Sequence, residues 1–297
     1  MSPVRAPYDS ASAFRQALEE RLRARAVREG LDLSRLRRLV SVDRLLARLF
    51  ADGERAPWIV KGGYALEVRF ALKGRATRDL DLAIPPVRGA AMAFLIDELT
   101  RALGCDVEDF FQLGLGERRL DLGGAPEGGV RFHASVDLDG RRFDDFHVDV
   151  VLGEEPLGAP NWMSSPGFLE FAGITAALVA VTPLSQHFAE KLHAITRPRG
   201  GHQNTRVRDL LDVALMIENG LRTSDEVVAA IQQTFARGGT HPVPPRIPQP
   251  PPGWNERYAE LAGGTQVRAK AMTDAQALLS EFWSKLGFRA VEESENP

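Results

Sequence analysis

The segment 58–84, WIVKGGYALEVRFALKGRATRDLDLAI, constrains the fold more strongly than any other part of this 297-residue chain. A short apolar run ends in two glycines, a stretch with helical periodicity follows, and a second apolar run carries two aspartates one residue apart. This order predicts a strand, a glycine turn, a helix and a second strand. Because strand side chains alternate between faces, we expect Asp79 and Asp81 on one face and Leu80 and Leu82 in the core.

The same segment also predicts chemistry. Two carboxylates on one face supply the hard oxygen ligands that Mg²⁺ or Mn²⁺ prefers, together with waters and substrate phosphates. Gly62 and Gly63 would let the backbone approach a triphosphate closely, and the helix that follows would offer its first N–H groups to the phosphates. We therefore expect Asp79 and Asp81 to hold the metal ion, and the glycine turn to bind a nucleoside triphosphate (NTP).

A third carboxylate comes from a predicted β-hairpin. Two alternating runs, VRFHASVDL and RRFDDFHVDVVL, flank Asp139 and Gly140, a pair that is typical of tight hairpin turns. In the second run Asp149 stands between two valines, so its side chain faces away from theirs. We expect Asp149 at the metal site, and an ordinary outward-facing strand carboxylate is the alternative.

Composition excludes several classes of protein. A formal net charge of −3 does not fit a chain that is basic throughout and binds nucleic acid along its whole surface. The single Cys105 excludes an intrachain disulfide and a cysteine zinc cluster. No apolar run approaches the ~20 residues of a membrane span, and the N-terminus lacks the apolar core of a signal peptide. We therefore expect a cytoplasmic protein that does not enter a membrane.

Residues 1–54 are predicted to form a basic helical segment, since they include eleven arginines. Ser10 or Ser12 is the expected cap of a first helix, Gly30 its expected end, and Ser34 the expected cap of a second helix. Arginines on such helices usually form a solvated face, and a phosphate-binding surface is the alternative.

The rest of the chain divides into a core over residues 55–155 and a mainly helical region over 156–297. An exposed proline-rich connector is expected at 242–253. The other expected elements are a helix over 88–103, a strand over 107–115, a loop over 156–167, and helices that begin near Pro183 and span 206–218, 223–236 and 273–286.

Four blocks of sequence, in this order, resemble the abortive-infection toxins of the AbiEii/AbiGii type, within the DNA polymerase β-like nucleotidyltransferase superfamily. They are KGGYAL (61–66), RATRDLDL (75–82), EKLHAI (190–195) and RVRDLLDV (206–213). The resemblance implies an α+β minimal nucleotidyltransferase fold, in which a mixed β-sheet is flanked by helices and followed by a helical C-terminal region.

The resemblance also implies roles for single residues. Asp79 and Asp81 match the metal-binding aspartates, and Asp209 matches an acidic residue that completes the active site. The residues expected to bind nucleotide are Lys61, Gly62, Gly63, Thr77 and Lys191, of which Lys191 would neutralise phosphate charge. Tyr64 stands where a small residue is usual, and we expect its ring to alter base or sugar contacts.

The sequence thus predicts a Mg²⁺-dependent nucleotidyltransferase toxin that moves a nucleoside monophosphate, often a pyrimidine nucleotide in this family, from an NTP to an RNA 3′-hydroxyl. The resemblance implies tRNA as acceptor and a cognate antitoxin protein as partner. A cluster of arginines would suit a tRNA acceptor end or form a solvated loop: Arg197, Arg199, Arg206 and Arg208. Three alternatives remain: transfer to a small molecule or protein, kinase-like phosphoryl transfer, and a non-catalytic binding module.

Overall fold

The computed structural model describes residues 8–87, 91–116, 119–120 and 128–288. The chain divides into two compact units. The first comprises Met1–Arg69, Ala76–Pro156 and Pro160–Thr182, and the second comprises Phe70–Arg75, Leu157–Ala159 and Pro183–Pro297. The three-part division of the chain drawn from its sequence stays a prediction.

One mixed β-sheet forms the centre of the first unit, and eight of its strands lie within the described residues. They are β1 (Ile59–Lys61), β2 (Asp79–Ile84), β3 (Phe111–Leu115), β4 (Arg119–Leu120), β5 (Gly129–Leu138), β6 (Arg141–Leu152), β7 (Asn161–Ser164) and β8 (Leu178–Val181). Seven of them lie in the order β3-β5-β6-β2-β1-β8-β7, and β4 pairs with β5. β2 runs parallel to β6 and antiparallel to β1, which itself runs parallel to β8. The predicted mixed sheet is therefore confirmed.

The strand β2 shows the alternation that its sequence predicts. Leu80 and Leu82 are 0% and 1% exposed, whereas Asp79 and Asp81 are only partly buried on the other face. Burying the two leucines contributes roughly 1.5–3 kcal/mol each, and this fixes which face of the strand the aspartates occupy. The predicted placement of both aspartates on one face is confirmed.

The predicted hairpin joins β5 and β6. Its turn residues Asp139 and Gly140 have φ angles of 55° and 66°, the left-handed values of a two-residue hairpin turn. Glycine adopts such values without steric cost, and aspartate is among the few other residues that tolerate them. The register shifts by one residue between Val136 and Asp137, and beyond this shift Arg131 lies opposite Asp149 on the neighbouring strand.

Three short strands differ from the predicted elements. The strand predicted at 107–115 is reduced to β3, because Glu108 and Phe110 have φ angles of 53° and 62° that a strand does not accommodate. The loop predicted at 156–167 contains β7, and β8 precedes the helix predicted from Pro183. β7 and β8 have four residues each, which is too few for the alternation to distinguish a strand from a loop.

Four α-helices of the first unit lie in the described part of the chain: α1 (Ala11–Glu29), α2 (Leu33–Leu49), α3 (Gly62–Phe70) and α4 (Ala91–Leu103). As predicted, Ser10 caps α1 and Gly30 ends it. The predicted cap of α2 is wrong, because the carboxylate of Asp32 accepts a hydrogen bond from the backbone N–H of Ser34 at 2.6 Å. Both residue types are good caps, so the sequence alone did not distinguish them. Residues 88–90 of the helix predicted at 88–103 lie outside the described residues.

The arginines of α1 and α2 have different environments. Arg23 and Arg28 on α1 are 59% and 67% exposed, as a solvated face predicts. On α2, however, Arg35 and Arg48 are 6% and 5% exposed. The ion pairs formed from α2 include Arg35 with Glu67, Arg38 with Asp144, and Arg48 with Asp109. A solvated face is therefore wrong for Arg35 and Arg48, because they are buried against carboxylates from later elements.

The second unit is helical. Its described helices are α5 (Leu184–Thr196), α6 (Val207–Glu218), α7 (Asp225–Gly238), α8 (Trp254–Gly263) and α9 (Met272–Lys285). The predicted helical C-terminal region is confirmed, and Pro183 is the N-cap of α5. Helix α8 was not predicted, because it follows directly on the proline-rich residues 242–253, which form neither helix nor strand. Of the helices described here, none has both the length and the apolar character that crossing a lipid bilayer requires.

Candidate active site

Two rows of polar side chains cross three neighbouring strands on the sheet face opposite Leu80 and Leu82. Residues that pair directly across strands share a face of the sheet, so the register defines the rows. One row consists of Asp79 on β2, His147 on β6 and His133 on β5; the next consists of Asp81, Asp149 and Arg131 on the same three strands. The structure therefore brings together the three carboxylates that the sequence assigns to the metal site.

The carboxylate of Asp79 is more accessible than that of Asp149, whose side chain is 11% exposed. The Asp79 side chain is 43% exposed, and its Oδ1 lies 3.5 Å from Nδ1 of His147. Thr77 donates a hydrogen bond from its hydroxyl to the backbone carbonyl of Asp79 at 3.1 Å. This bond fixes the backbone where β2 begins. Binding of nucleotide by the Thr77 hydroxyl stays a prediction.

Gly62 is required by the position of the Asp81 side chain. A methyl group on the Cα of Gly62 would lie 1.8 Å from Oδ2 of Asp81, far inside van der Waals contact. Gly62 also has a φ angle of 58°, in the left-handed region. The absence of a side chain thus makes room for a carboxylate. Contact of Gly62 and Gly63 with a triphosphate stays a prediction.

Asp149 is held by Arg131, the residue opposite it on β5. The guanidinium donates two hydrogen bonds to the carboxylate, Nε to Oδ1 and Nη2 to Oδ2, both at 2.6 Å. The hydrogen bond with Asp149 raises the pKa of Arg131, and the negative charges of Asp149, Asp79 and Asp81 raise it further. The field of all three carboxylates therefore reaches this guanidinium.

The donor set of the first unit is suited to a metal ion that takes few protein ligands. Among the described residues, no three or more His, Cys, Asp or Glu side chains form a ready metal-binding group. Mg²⁺ needs only one or two carboxylates when substrate phosphates and waters fill its other positions. Asp79 and Asp81 offer such a pair on one strand face, whereas Asp149 already has Arg131 as a partner.

Two other predicted residues have contacts within the first unit. Lys61 lies opposite Asp81 in the antiparallel pairing of β1 and β2, and its Nζ forms an ion pair with Glu154. Its role in nucleotide binding stays a prediction. Tyr64 corrects an expectation: its side chain is 0% exposed, so the ring does not reach a nucleotide. Burial raises the pKa of Tyr64 well above its usual value, and the charges of Asp43 and Glu67 add to this shift.

In the second unit, Lys191 on α5 lies at the centre of a buried charge cluster. Its Nζ is 2.9 Å from Oδ1 of Asp209 and 2.7 Å from Oδ2 of Asp212 on α6. Arg75 donates two further hydrogen bonds to Asp212, at 3.1 and 2.9 Å. The structure therefore brings Lys191 and Asp209 together, as the resemblance implies, and adds two residues that the sequence did not single out.

The charges in this cluster stabilise one another. Burial alone would lower the pKa of Lys191, but the negative charges of Asp212 and Asp209 raise it above its usual value. Burial alone would raise the pKa of Asp212, but the positive charges of Lys191 and Arg75 lower it. The ammonium and the carboxylate are therefore both charged at neutral pH.

Of the three residues that the sequence did not single out, only Asp212 left a local signal in the sequence. Arg131 faces Asp149 only because the register shifts by one residue between Val136 and Asp137; pairing counted directly from the Asp-Gly turn would place it opposite Val148. Asp212 follows Asp209 by three residues, a spacing that places both on one side of a helix. Arg75 opens the block RATRDLDL, yet its partner lies far along the chain, and no local pattern indicates such a pairing.

A model of the family described as "Nucleotidyl transferase AbiEii toxin, Type IV TA system" matches residues 44–283, which is more than half of the chain. The chain belongs to this AbiEii family. The resemblance drawn from four sequence blocks is therefore confirmed. Family membership makes the chain a nucleotidyltransferase toxin of a type IV toxin–antitoxin (TA) system, with an NTP as substrate and an antitoxin as its counterpart.

Solved structures agree with this family at the level of the fold. MenT4, a nucleotidyltransferase toxin from Mycobacterium tuberculosis, is 15% identical with a TM-score of 0.59, over 92% of this chain and 89% of that chain. At this identity the likeness shows a common fold and nothing finer. An inferred nucleotidyltransferase from H. pylori is 13% identical over 82% of this chain and 92% of that chain, and its TM-score of 0.40 supports no argument. No curated protein matches the chain.

Proposed function

We propose that this AbiEii-family toxin transfers a nucleoside monophosphate, preferentially a pyrimidine nucleotide, from an NTP to the 3′-hydroxyl of tRNA, in a reaction that requires Mg²⁺. The observation that carries the proposal is the pair Asp79 and Asp81 on one face of β2, next to a glycine whose missing side chain makes room for the second carboxylate. If the sheet face only needed polar side chains, the Asp81 carboxylate would not have to approach the Cα of Gly62 so closely.

The requirement for Mg²⁺ follows from the donors that are present. Asp79 and Asp81 provide hard oxygen ligands, and the 43% exposure of Asp79 leaves room for water and phosphate oxygens beside it. When bound, the ion would neutralise phosphate charge and assist ionisation of the attacking hydroxyl. Asp149, opposite Asp81, is the proposed third ligand, and Arg131 fixes its orientation. Mn²⁺ takes the same class of ligand and would substitute for Mg²⁺.

In the second unit, we assign nucleotide binding to Lys191. Its raised pKa keeps the side chain protonated, as a group that neutralises phosphate must be. Asp209 and Asp212 hold the ammonium at 2.9 and 2.7 Å, so its position is fixed before substrate arrives. Such preorganisation lets a charge act on the transition state without a further cost of reorienting it.

The choice of tRNA as acceptor rests on the family resemblance and on charge. The whole chain carries a formal net charge of −3, yet Arg197, Arg199, Arg206 and Arg208 fall within twelve consecutive residues. A local excess of arginine on a chain without overall positive charge favours one confined polyanion site over general binding to nucleic acid. The preference for a pyrimidine nucleotide rests on the resemblance alone.

The proposal is tested by incubating the full chain with total tRNA, Mg²⁺ and each α-³²P-labelled NTP in turn. We expect a labelled tRNA band with CTP or UTP, pyrophosphate as co-product, and no band with the Asp79→Ala/Asp81→Ala variant. Label on a protein or small molecule instead of tRNA would overturn the choice of acceptor. Release of nucleoside diphosphate would indicate a kinase-like reaction, and a band with the double variant would exclude the proposed metal site.

A further inference from the structure

The second unit contains a cavity of about 600 Å³ whose lining includes Asp209, the partner of Lys191. Its walls come from the start of α6, from the loop before it, from the start of α8 and from Arg75. We call it the arginine pocket, because the charged residues that line it are Arg75, Arg206, Arg208, Arg257 and Asp209. Four cations and one anion therefore face one cavity.

The positive charge of the arginine pocket is only partly neutralised within the described residues. Arg75 donates a hydrogen bond to Asp212. Arg257 forms an ion pair with Glu260, and their side chains are 45% and 67% exposed, so solvent weakens this pair. Arg206 has only a long contact of 3.7 Å with Asp209, which Lys191 already holds. Among the ion pairs of the described residues, none involves Arg208.

The neighbouring Arg199 reports the same excess of charge. Burial lowers the pKa of Arg199, the positive charges of Arg206 and Arg197 lower it further, and the negative charge of Asp209 offsets only part of this shift. Mutual repulsion of this kind disfavours the arrangement unless an anion relieves it.

The proline-rich residues 242–253 explain how α8 reaches the pocket. Ile247 is 8% exposed, and the carbonyl of Pro248 accepts a hydrogen bond from Gln276 on α9 at 3.3 Å, so the connector is packed in place. At its end, Trp254 donates from its indole Nε1 to the carbonyl of Asn204 at 2.7 Å. This bond ties the first residue of α8 to the loop before α6. Arg257 follows Trp254 by three residues, so it stands one helical turn into α8.

We infer that the arginine pocket binds the phosphate backbone of tRNA close to its 3′ end. This inference rests on the proposed function, since it names the surface by which the same substrate is held. Guanidinium groups bind phosphate through two parallel hydrogen bonds, and several of them on one wall suit successive phosphates of a strand. Trp254 is 3% exposed, so its ring is not a platform for base stacking. Binding is therefore independent of base sequence and strongly dependent on salt.

The test measures binding of fluorescently labelled tRNA to the full chain by anisotropy, without NTP, over a series of KCl concentrations. The test variant is Arg208→Gln/Arg257→Gln, which replaces two side chains at the rim of the pocket. The matched control is Arg222→Gln/Arg268→Gln, which removes two exposed arginines of the same unit that do not line the pocket. Circular dichroism verifies that both variants are folded.

We expect the test variant to weaken tRNA binding roughly tenfold or more at moderate salt, and to lower the slope of log Kd against log[KCl] by about 1.5, since each phosphate contact contributes about 0.7–0.9. The control should keep the affinity and slope of the original chain, and neither variant should change the Kd for an NTP. Unchanged tRNA binding in the test variant would overturn the inference. So would loss of NTP or antitoxin binding in place of tRNA binding.

The inference and the proposed function fail in different ways. Transfer of label to tRNA that is equally efficient in the original chain and the test variant would leave the proposed function intact and overturn the pocket assignment. Binding of tRNA that depends on the pocket residues, with no transfer from any NTP, would support the pocket assignment and overturn the proposed function.

Discussion

Asp79 on the sheet face and Asp212 in the helical unit are held in opposite ways. Asp79 is 43% exposed and lies beside a histidine that is 48% exposed. Asp212 is 2% exposed and is bonded to both Lys191 and Arg75. The first carboxylate is open to ligands and makes few bonds with the protein, whereas the second has its charge neutralised before any ligand arrives.

This difference predicts different consequences of substitution at Asp79 and at Asp212. A surface carboxylate with weak partners contributes little to folding, so its replacement should affect binding and catalysis alone. A buried carboxylate between two cations is different, because removing it leaves two positive charges in a medium that solvates them poorly. Substitutions in the two regions should therefore fall into two classes of effect.

The largest expected effect is loss of activity on the sheet face. Replacing Asp79 and Asp81 by Asn should lower the transfer rate by about 10³-fold, because charge stabilisation by a metal ion is worth several kcal/mol. For Asp79→Asn alone, whose side chain is 43% exposed, the free energy of unfolding should change by no more than about 1 kcal/mol. Rates measured with labelled NTP and unfolding curves in urea test both statements, with the exposed Asp97→Asn as control. A large loss of stability in the single variant would place Asp79 among structural residues.

The next effect is a loss of stability in the helical unit. Asp212→Ala should lower the free energy of unfolding by about 3–5 kcal/mol, because Lys191 and Arg75 lose a shared buried partner. Unfolding in urea measures the change. Asp225→Ala is the control, since this exposed residue of α7 should cost no more than about 1 kcal/mol. Similar stabilities of the two variants would contradict the proposed distinction between regions.

Gly62→Ala should combine a modest loss of stability with a specific loss of activity. Its φ of 58° makes any side chain unfavourable by about 1–2 kcal/mol, and the new methyl group must also displace the Asp81 carboxylate. Gly30→Ala is a matched control, because Gly30 has a φ of 64° with open space around it. We expect similar unfolding free energies, with transfer reduced about 100-fold in Gly62→Ala alone. Equal activity in the two variants would show that the position of Asp81 does not matter.

The smallest effect is expected for Tyr64→Phe, which should neither lower stability nor change nucleotide preference. The Tyr64 hydroxyl is buried and has no hydrogen-bond partner in the described part of the chain. Tyr64→Phe removes a polar group that pays a desolvation penalty, so stability should stay equal or rise by up to about 1 kcal/mol. The order of preference among the four NTPs should not change. A changed preference would restore the sequence-based expectation that this ring affects the nucleotide.

Local patterns were sufficient to predict the sheet face of the site. The alternation of apolar and polar residues around Asp79, Asp81 and Asp149 indicates which face each carboxylate occupies, and it depends only on neighbours in sequence. The register shift between Val136 and Asp137, which sets Arg131 opposite Asp149, had no such signal. The spacing of Lys191 and Asp209 on two separate helices was available only through the family resemblance. The partners of α2's arginines, and the pairing of Arg75 with Asp212, join residues far apart in the chain and have no periodic signal.

Glycine shows a second limit of sequence reasoning. Gly62 was predicted to admit a triphosphate, and the structure shows that it admits the carboxylate of Asp81. Both explanations fit the same two letters of sequence, because each needs only the absence of a side chain. Which protein atoms approach the Cα is a property of the folded sheet, and contact of the glycine turn with a triphosphate stays a prediction.

The central claim is that Asp79 and Asp81 hold the metal ion, and a binding measurement tests it most directly. Free Mn²⁺ can be titrated by electron paramagnetic resonance with the full chain and the α,β-methylene analogues of the four NTPs, which resist transfer. We predict saturable Mn²⁺ binding to the original chain that is weakened at least about 100-fold in Asp79→Asn/Asp81→Asn, and unchanged in Asp97→Asn. Equal Mn²⁺ affinity of the original chain and the double variant would contradict the claim.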